Sequence, residues 1–376
     1  MRSKSNTNTV RNERLMDMFD RIKMTKDDMA DWWNSGFIPR AIGVSLVLYL
    51  LICTVLAFMW SGEPSQFDVV ERASKTKNSV GVSVGNSVGK SADQQQAVVI
   101  GSTTATALIE VANTMMDKPG GFLSNDILPP GVLLDNIPSW EFGVLVQVRD
   151  LARAMRENFS RSQSQSTEDI DLAIAEPRFN FDNQSWILPR SEDEYQEGIK
   201  YTQGYLQRLS DPNQSGSQFY ARADNLNAWL ATVETRLGSL SQRLSASVGQ
   251  KRLNVDLAGE AAAGQSTAAP QEIEVKTAWN KIDNVLFEAR GTTWALIHFL
   301  KAIEVDFADV LEKKNARVSV QQIIRELEST QQAIWSPIVL NGSGFGLFAN
   351  HSLVMASHIS RANAGIIDLR ELLSKG

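Results

Sequence analysis

The side chains best suited to acid–base or metal chemistry in this chain are three histidines, His298, His351 and His358. His351 and His358 are seven residues apart, so a helix would place them on one face, two turns and ~10.5 Å apart along its axis. That separation is too great to share one ion without a ligand from another element. No His-Glu-x-x-His is present, so the histidines read as structural or surface groups, with no metal site and no cofactor expected. Asn341–Gly346, NGSGFG, superficially has the glycine spacing of a phosphate-cradling loop. It lacks both the preceding strand of a βαβ unit and a following Lys-Ser/Thr, and is expected to be a turn. Glu141, beside Trp140 at an expected helix start, is the carboxylate singled out for acid–base work. Arg149, Arg153 and Arg156 form a cationic stripe at i, i+4 and i+7 that could clamp an anion, although pairing with acids of a neighbouring helix is favoured. None of these patterns amounts to a catalytic constellation, and the chain is read as not an enzyme.

The elements that must hold these residues are helices. A helix is expected from about Ser139 to Ser162, with Ser139 as N-cap and Leu145, Val148, Leu151, Met155 and Phe159 as its buried stripe. Weaker helical patterns cover Ala97–Met116 and Glu168–Glu176, and Ser191–Glu194 reads as a capping box opening a helix that runs to about Ser210. Three runs keep heptad spacing: Phe219 to Leu244, Val275 to Val310, and Phe348 to Leu373. Apolar residues every 3.5 positions keep one seam facing a partner helix. The second run predicts one helix from about Glu272 to Lys313, with Gly291 as a soft point. The first two runs are joined by a small-residue connection over 249–270 that permits an antiparallel hairpin. Closure within one chain is favoured over closure between two, which leaves a homo-oligomer open.

Two irregular stretches interrupt this pattern. Lys118–Pro138, with four prolines and a Gly-Gly pair, cannot be helix interior yet carries Phe122, Leu123, Ile127, Leu128, Leu133 and Leu134. Pro177–Pro189 is aromatic. Packing as a cover is the favoured role of the first stretch. The candidate interaction surface drawn from the two and the helix between them is Phe122, Leu133, Trp140, Arg149, Arg153, Arg156, Phe179, Phe181 and Trp186.

Ala41–Trp60, AIGVSLVLYLLICTVLAFMW, has twenty residues and no charge. At ~1.5 Å per residue it spans about 30 Å, the hydrocarbon thickness of a bilayer. Eight Lys/Arg precede it, Arg40 abuts it, and the ten residues after it bring Glu63 and Asp68 and no base. The positive-inside bias then puts residues 1–40 in the cytoplasm and the C-terminal body outside. The long charged region before the run, and AFMWSGEP after it, argue for an uncleaved anchor rather than a signal peptide. Arg14–Asn34 is either an amphipathic helix lying in the headgroup layer or a partly ordered polar tail. Residues 61–96, Ser/Gly/Asn/Gln-rich from 71 onward, read as a flexible tether.

The whole chain is −6 and the tail +2, so residues 61–376 carry −8. An acidic body is a poor partner for phosphate backbones, and no nucleic acid is expected. Cys53, the single cysteine, lies inside the apolar run, so the body has no disulfide. The expected fold is all-α: a single N-terminal transmembrane helix and an elongated helical bundle with coiled-coil-like long helices, over 97–376.

Gly120–Ser166, GGFLSNDILPPGVLLDNIPSWEFGVLVQVRDLARAMRENFSRSQSQS, followed by FNFDNQSWILPRSEDEY (Phe179–Tyr195), resembles a family of bacterial single-pass membrane proteins catalogued as a domain of unknown function. The resemblance implies a proteobacterial inner-membrane protein with a periplasmic body, and brings no catalytic residues. The functional expectation is a membrane-anchored interaction or scaffold protein whose partners are the lipid bilayer and another envelope protein. Two alternatives remain: a ligand-sensing module signalling through the span to a separate partner, and a carboxylate-dependent cell-wall hydrolase.

Overall fold

The computed structural model describes residues 31, 37–79, 99–162, 167–211, 216–253, 272–336 and 338–375. Its contacts divide the chain into two units, Met1–Phe58 and Met59–Gly376. The proposed amphipathic tail helix, the part of the tether over 80–98 and most of the 249–270 connection lie outside the described residues.

The first unit consists, as described, almost wholly of helix α1 (Phe37–Trp60). Its large apolar side chains, from Ile42 to Phe58, stand exposed along its length. A helix apolar on every side suits an apolar surround, and by length and composition Pro39–Trp60 is able to cross a membrane.

The second unit is mostly helical. Its elements are α2 (Val69–Ser79), α3 (Ser102–Asp117), α4 (Asn136–Ala154, continued by a π turn over Met155–Phe159), α5 (Leu172–Phe179), α6 (Ser191–Ser210), α7 (Ala223–Ser245), α8 (Ile282–Asp306), α9 (Ala308–Lys313), α10 (Arg317–Ser329) and α11 (His351–Ser374). A short antiparallel pair, β1 (Gln250–Leu253) and β2 (Glu272–Val275), flanks residues 254–271, with β1 inside the 249–270 connection and β2 ending where the second heptad run starts, a departure from the all-α expectation.

Helix α8 is the axis of this unit. Every residue from Ala289 to Leu300 is buried, so the heptad spacing marks only part of a surface that is enclosed all round. The continuous helix expected over Glu272–Lys313 begins at Ile282 and breaks at Phe307. Gly291 is no soft point. It is where α4 crosses α8 most closely: a Cβ there would lie 2.0 Å from the Trp140 carbonyl oxygen, and one on Gly143 would lie 2.1 Å from the Glu288 carbonyl oxygen. The first seam closes on the third rather than the second. Arg370 reaches Asn227 and Glu234, and Ser360 Oγ lies 2.6 Å from Ser241 Oγ, which sets α7 and α11 antiparallel within one chain.

Helix α4 runs parallel to α8, with Trp140 beside Trp294 and, farther along, Phe159 beside Phe307. The starts of α4, α6, α8 and α11 and the ends of α3, α7 and α10 therefore gather at one end of the unit, called the loop end below. The opposite end is marked by Thr104–Asp306 and Arg317–Glu304 bonds. Two expected caps are absent: Ser139 lies inside α4 with its hydroxyl on the Asp135 carbonyl, and Ser191 donates to the Asp182 and Ser185 carbonyls instead of capping α6.

Candidate functional site

The segment after Trp60 is built into the body, which corrects the tether reading for 61–79. Glu63 accepts from Arg290 Nε at 2.6 Å and Nη2 at 2.5 Å, while Nη1 of the same guanidinium donates to the carbonyls of Thr330 (3.0 Å) and Gln332 (2.9 Å). A charge on the enclosed face of α8 needs such partners, because an unpaired buried cation is strongly unfavourable. Two turns on, Phe67 stacks on His298 with centroids 4.0 Å apart, and its amide donates to Nε2 at 3.1 Å. Nε2 therefore accepts, and Nδ1 carries the proton that goes to the Trp294 carbonyl at 2.7 Å. Burial disfavours the imidazolium and lowers the pKa of His298 to about 4. Asp68 then caps α2 through the amides of Val70 and Glu71, and Val69 is buried.

Glu141 is enclosed. Lys118 donates to it and to the Gly121 carbonyl, the amides of Leu123 and Ser124 reach its two oxygens at 2.8 Å, and the Ser124 hydroxyl adds a bond of 2.5 Å. Burial raises its pKa, and Lys118 together with these donors works against the rise. With both oxygens committed, Glu141 ties Lys118–Ser124 to the start of α4, a structural hub rather than an acid facing a cleft. Asp306 is a second buried acid, raised by burial and opposed by the Thr104 amide and hydroxyl at 2.6 and 2.7 Å.

The nine residues proposed as an interaction surface do not form one. Phe122, Trp140 and Phe179 are core residues, because the stretches that carry them fold onto α4 and α6. Phe181 is half-buried and packs on the same core. Arg149 donates to the Phe179 and Phe181 carbonyls, each at 2.7 Å, and so fastens the aromatic stretch to α4. Arg156 pairs with Glu168 and Glu176 at 2.9 Å, with Arg153 more distant from Glu176 at 3.8 Å. Arg156 and, more loosely, Arg153 thus pair with acids, whereas Arg149 is held by carbonyls. Leu133 and Trp186 are exposed. Their two loops are joined by Asn125 Nδ2, which donates to the Ser185 carbonyl at 2.8 Å and to Glu192 at 2.7 Å.

The histidines outside the core are engaged too. His351 Nδ1 accepts from the Leu340 amide at 3.2 Å, and His358 and Arg361 both sit against Glu326. Among the described residues no group of three His, Cys, Asp or Glu is placed to hold a metal ion. The turn expected at Asn341–Gly346 is present: Asn341 bridges to Asn350, the Gly342 amide donates to the Ala349 carbonyl, and Asn350 caps α11 through the Leu353 amide. Between α8, the end of α10 and the start of α11 lies a cleft of about 530 Å³, lined by Leu286, Ile334, Trp335, Met355, His351 and His358 among others. A second cleft of about 540 Å³ adjoins it, between Ser61–Gln66 and Phe287, Trp294 and Ile334.

The sequence reading missed the Glu63–Arg290 pair, the Phe67–His298 contact and the Lys118–Glu141 pair. One signal was available: Arg290 lies amid residues at apolar seam spacing, a position that demands an anion.

The fold is thus that of a mostly helical protein with one N-terminal helix able to cross a membrane. The chain belongs to the family DUF2333, uncharacterized protein conserved in bacteria, which matches residues 32–376. No curated protein and no solved structure matches it.

Proposed function

We propose that this chain is a membrane-anchored interaction or scaffold protein of the bacterial envelope. Ala41–Trp60 anchors it in the inner membrane, residues 1–40 lie in the cytoplasm and the helical body in the periplasm. It performs no catalysis of its own and binds another envelope component through the loop end of the body. One contrast carries this reading. Glu141, Asp306, His298 and Arg290 are all committed to internal bonds, whereas Leu128, Leu133, Trp186, Leu188 and Trp335 stand exposed at the loop end. Contiguous exposed apolar side chains mark binding surfaces in proteins that are otherwise polar outside.

The test is photocrosslinking in cells from Leu133 and Trp186, both exposed, with adducts identified by mass spectrometry. One dominant protein adduct at both positions supports the scaffold reading and names the process. Adducts to another copy of the chain point to an oligomer, and scattered adducts overturn a specific protein partner. Topology is read separately: in a Cys53→Ser background, Ser374→Cys should react with a membrane-impermeant maleimide added outside the inner membrane, and a cysteine near the N-terminus should not.

A second reading, ligand sensing through the span, draws on one observation. Glu63 and Phe67 couple the residues next to α1 directly to α8, so a shift of α8 would have little slack to absorb it. Saturation of the α8–α10–α11 cleft by a small molecule, with a change in crosslinking near the N-terminus, would favour it.

A further inference from the structure

Trp335, Phe345 and Leu347 are 95%, 105% and 101% exposed, and Leu188 is 90% exposed. All are large and apolar. A folded chain tolerates scattered exposed apolar residues, but side chains this free, grouped on loop tips at one end, need a surrounding that is not water.

The stretch 331–350, QQAIWSPIVLNGSGFGLFAN, contains no charged residue. Its base is firmly held. The Gly342 amide donates to the Ala349 carbonyl, Asn350 Nδ2 to Asn341 Oδ1 at 2.8 Å and to the Gly342 carbonyl at 2.6 Å, and Asn341 Nδ2 to the Ser247 carbonyl at 2.9 Å. A pinned base and an uncharged apolar tip are what an interfacial insertion loop requires, since ordering it at a surface costs little further entropy.

What lies beside that tip is set by chain connectivity. Arg290 holds the Glu63 carboxylate and the Gln332 carbonyl on one guanidinium. Three peptide units separate Glu63 from Trp60, the last residue of α1, a reach of at most ~11 Å. The Trp60 ring itself lies against Gly120, where a Cβ would come within 2.8 Å of it. Gly120 opens the loop that carries Leu128 and Leu133, which Asn125 joins to the loop of Trp186 and Leu188. One group of exposed loops thus starts against Trp60, and the other starts on the guanidinium that holds Glu63, three residues beyond it.

We infer that the loop end of the body inserts the tips Phe345–Leu347 and Trp186–Leu188 into the lipid leaflet at which Trp60 ends. This rests on the reading of Ala41–Trp60 as a membrane anchor and names the envelope component that the loop end meets, the bilayer itself. Covalent attachment to the span makes the docking intramolecular, so a few side chains suffice where a free protein would need many. The attraction is apolar. In the second group the charge nearest the Trp186–Leu188 tip in sequence is Arg190, which pairs with Asp193 at 2.8 Å, Asp126 and Asp135 flank Leu128 and Leu133, and the first group has no charge over 331–350.

The experiment uses the full chain with Cys53→Ser, reconstituted in liposomes of phosphatidylethanolamine and phosphatidylglycerol containing acyl-brominated phosphatidylcholine. Single cysteines carry an environment-sensitive fluorophore: Leu347→Cys and Leu188→Cys at the tips, Leu50→Cys in the span, and Val318→Cys, 75% exposed, at the opposite end of the body. Bromine should quench the Leu347, Leu188 and Leu50 labels at least twofold more than the Val318 label. Quenching at Leu50 with the tips no different from Val318 overturns the docking and leaves the anchor standing. No quenching at Leu50 overturns both. A blue-shifted tip label without bromine quenching means a second copy covers the tips, and also overturns it. Replacing phosphatidylglycerol by phosphatidylcholine should change tip quenching less than 1.5-fold, and its disappearance would overturn the apolar mode.

Discussion

Replacing Arg290 by Met keeps a long unbranched side chain in place and removes the guanidinium that joins the residues after α1 to the core. Five bonds disappear: three to Glu63, at 2.6, 2.8 and 2.5 Å, and two to the Thr330 and Gln332 carbonyls at 3.0 and 2.9 Å. The partners are well enclosed, with side-chain exposures of 9% for Arg290 and 16% for Glu63. Removing one member of a buried ion pair costs about 3–5 kcal/mol, mostly because the other charge stays behind unpaired. Glu63 keeps some access to water, so the low end, about 3 kcal/mol, is expected. Removing both charges should cost less than the sum of the single changes, with a coupling of about 2 kcal/mol in the cycle Arg290→Met, Glu63→Leu. Urea unfolding of the full chain in detergent micelles measures the global cost, and amide hydrogen exchange reads the segment itself. At 1.36 kcal/mol per decade, exchange of the Phe67 amide should accelerate by about two decades if local release precedes global unfolding. A midpoint within about 0.5 kcal/mol of the parent, with exchange over 63–70 unchanged, would refute the clamp. So would parent amides over 63–70 that exchange like those of an unstructured peptide.

His298 should make the body acid-sensitive. Its pKa is about 4 in the fold against 6.5 for a free imidazole, so between those values the unfolded chain binds the extra proton. The stability from neutral His298 is therefore whole above pH 6.5 and declines as pH falls towards 4, by at most about 3 kcal/mol. The difference in urea midpoint between parent and His298→Gln, followed across this range, checks it. Glu141→Gln leaves the enclosed Lys118 ammonium without its anion and should lower stability by about 3–5 kcal/mol, seen as an early thermal transition. Gly291→Ala drives a methyl into the Trp140 carbonyl and should cost about 1–3 kcal/mol or more. Gly238→Ala, whose nearest outside atom would be 3.6 Å away, should instead stabilise α7 by up to about 1 kcal/mol. Both are read in the same melts.

What the sequence made legible follows the range of the interactions involved. The apolar run, and the extents of α6, α7 and α11, are written in local periodicity, and those elements lie close to where the spacing puts them. The register between elements is not local. Heptad spacing in α8 looked like a seam because Leu286, Ala289, Thr293, Leu296 and Leu300 satisfy it, but Gly291, Thr292, Trp294, Ala295 and Ile297 between them are buried as well. Small residues let helices approach from several sides, a possibility that a one-sided pattern does not express. The same blindness affected the surface residues. Trp140 and Phe179 carry the signature of a binding patch in composition, and only the fold shows that α8 and α6 cover them.

The misread tether bears directly on function. Composition over 61–79 is polar, and on that basis the segment should float. Its order comes from Arg290 and His298, more than two hundred residues away, which take up a carboxylate and an amide that no local pattern could pair. A flexible tether would let the body roam and would leave the exposed tips of 331–350 free to meet any partner in reach. A clamped segment removes that freedom: three peptide units past α1, Glu63 already shares its guanidinium with the start of that loop. The docking inferred above draws on that clamp. Loosening the segment by Arg290→Met should therefore reduce bromine quenching at Leu347, and quenching unchanged from the parent would show that the docking does not depend on the clamp.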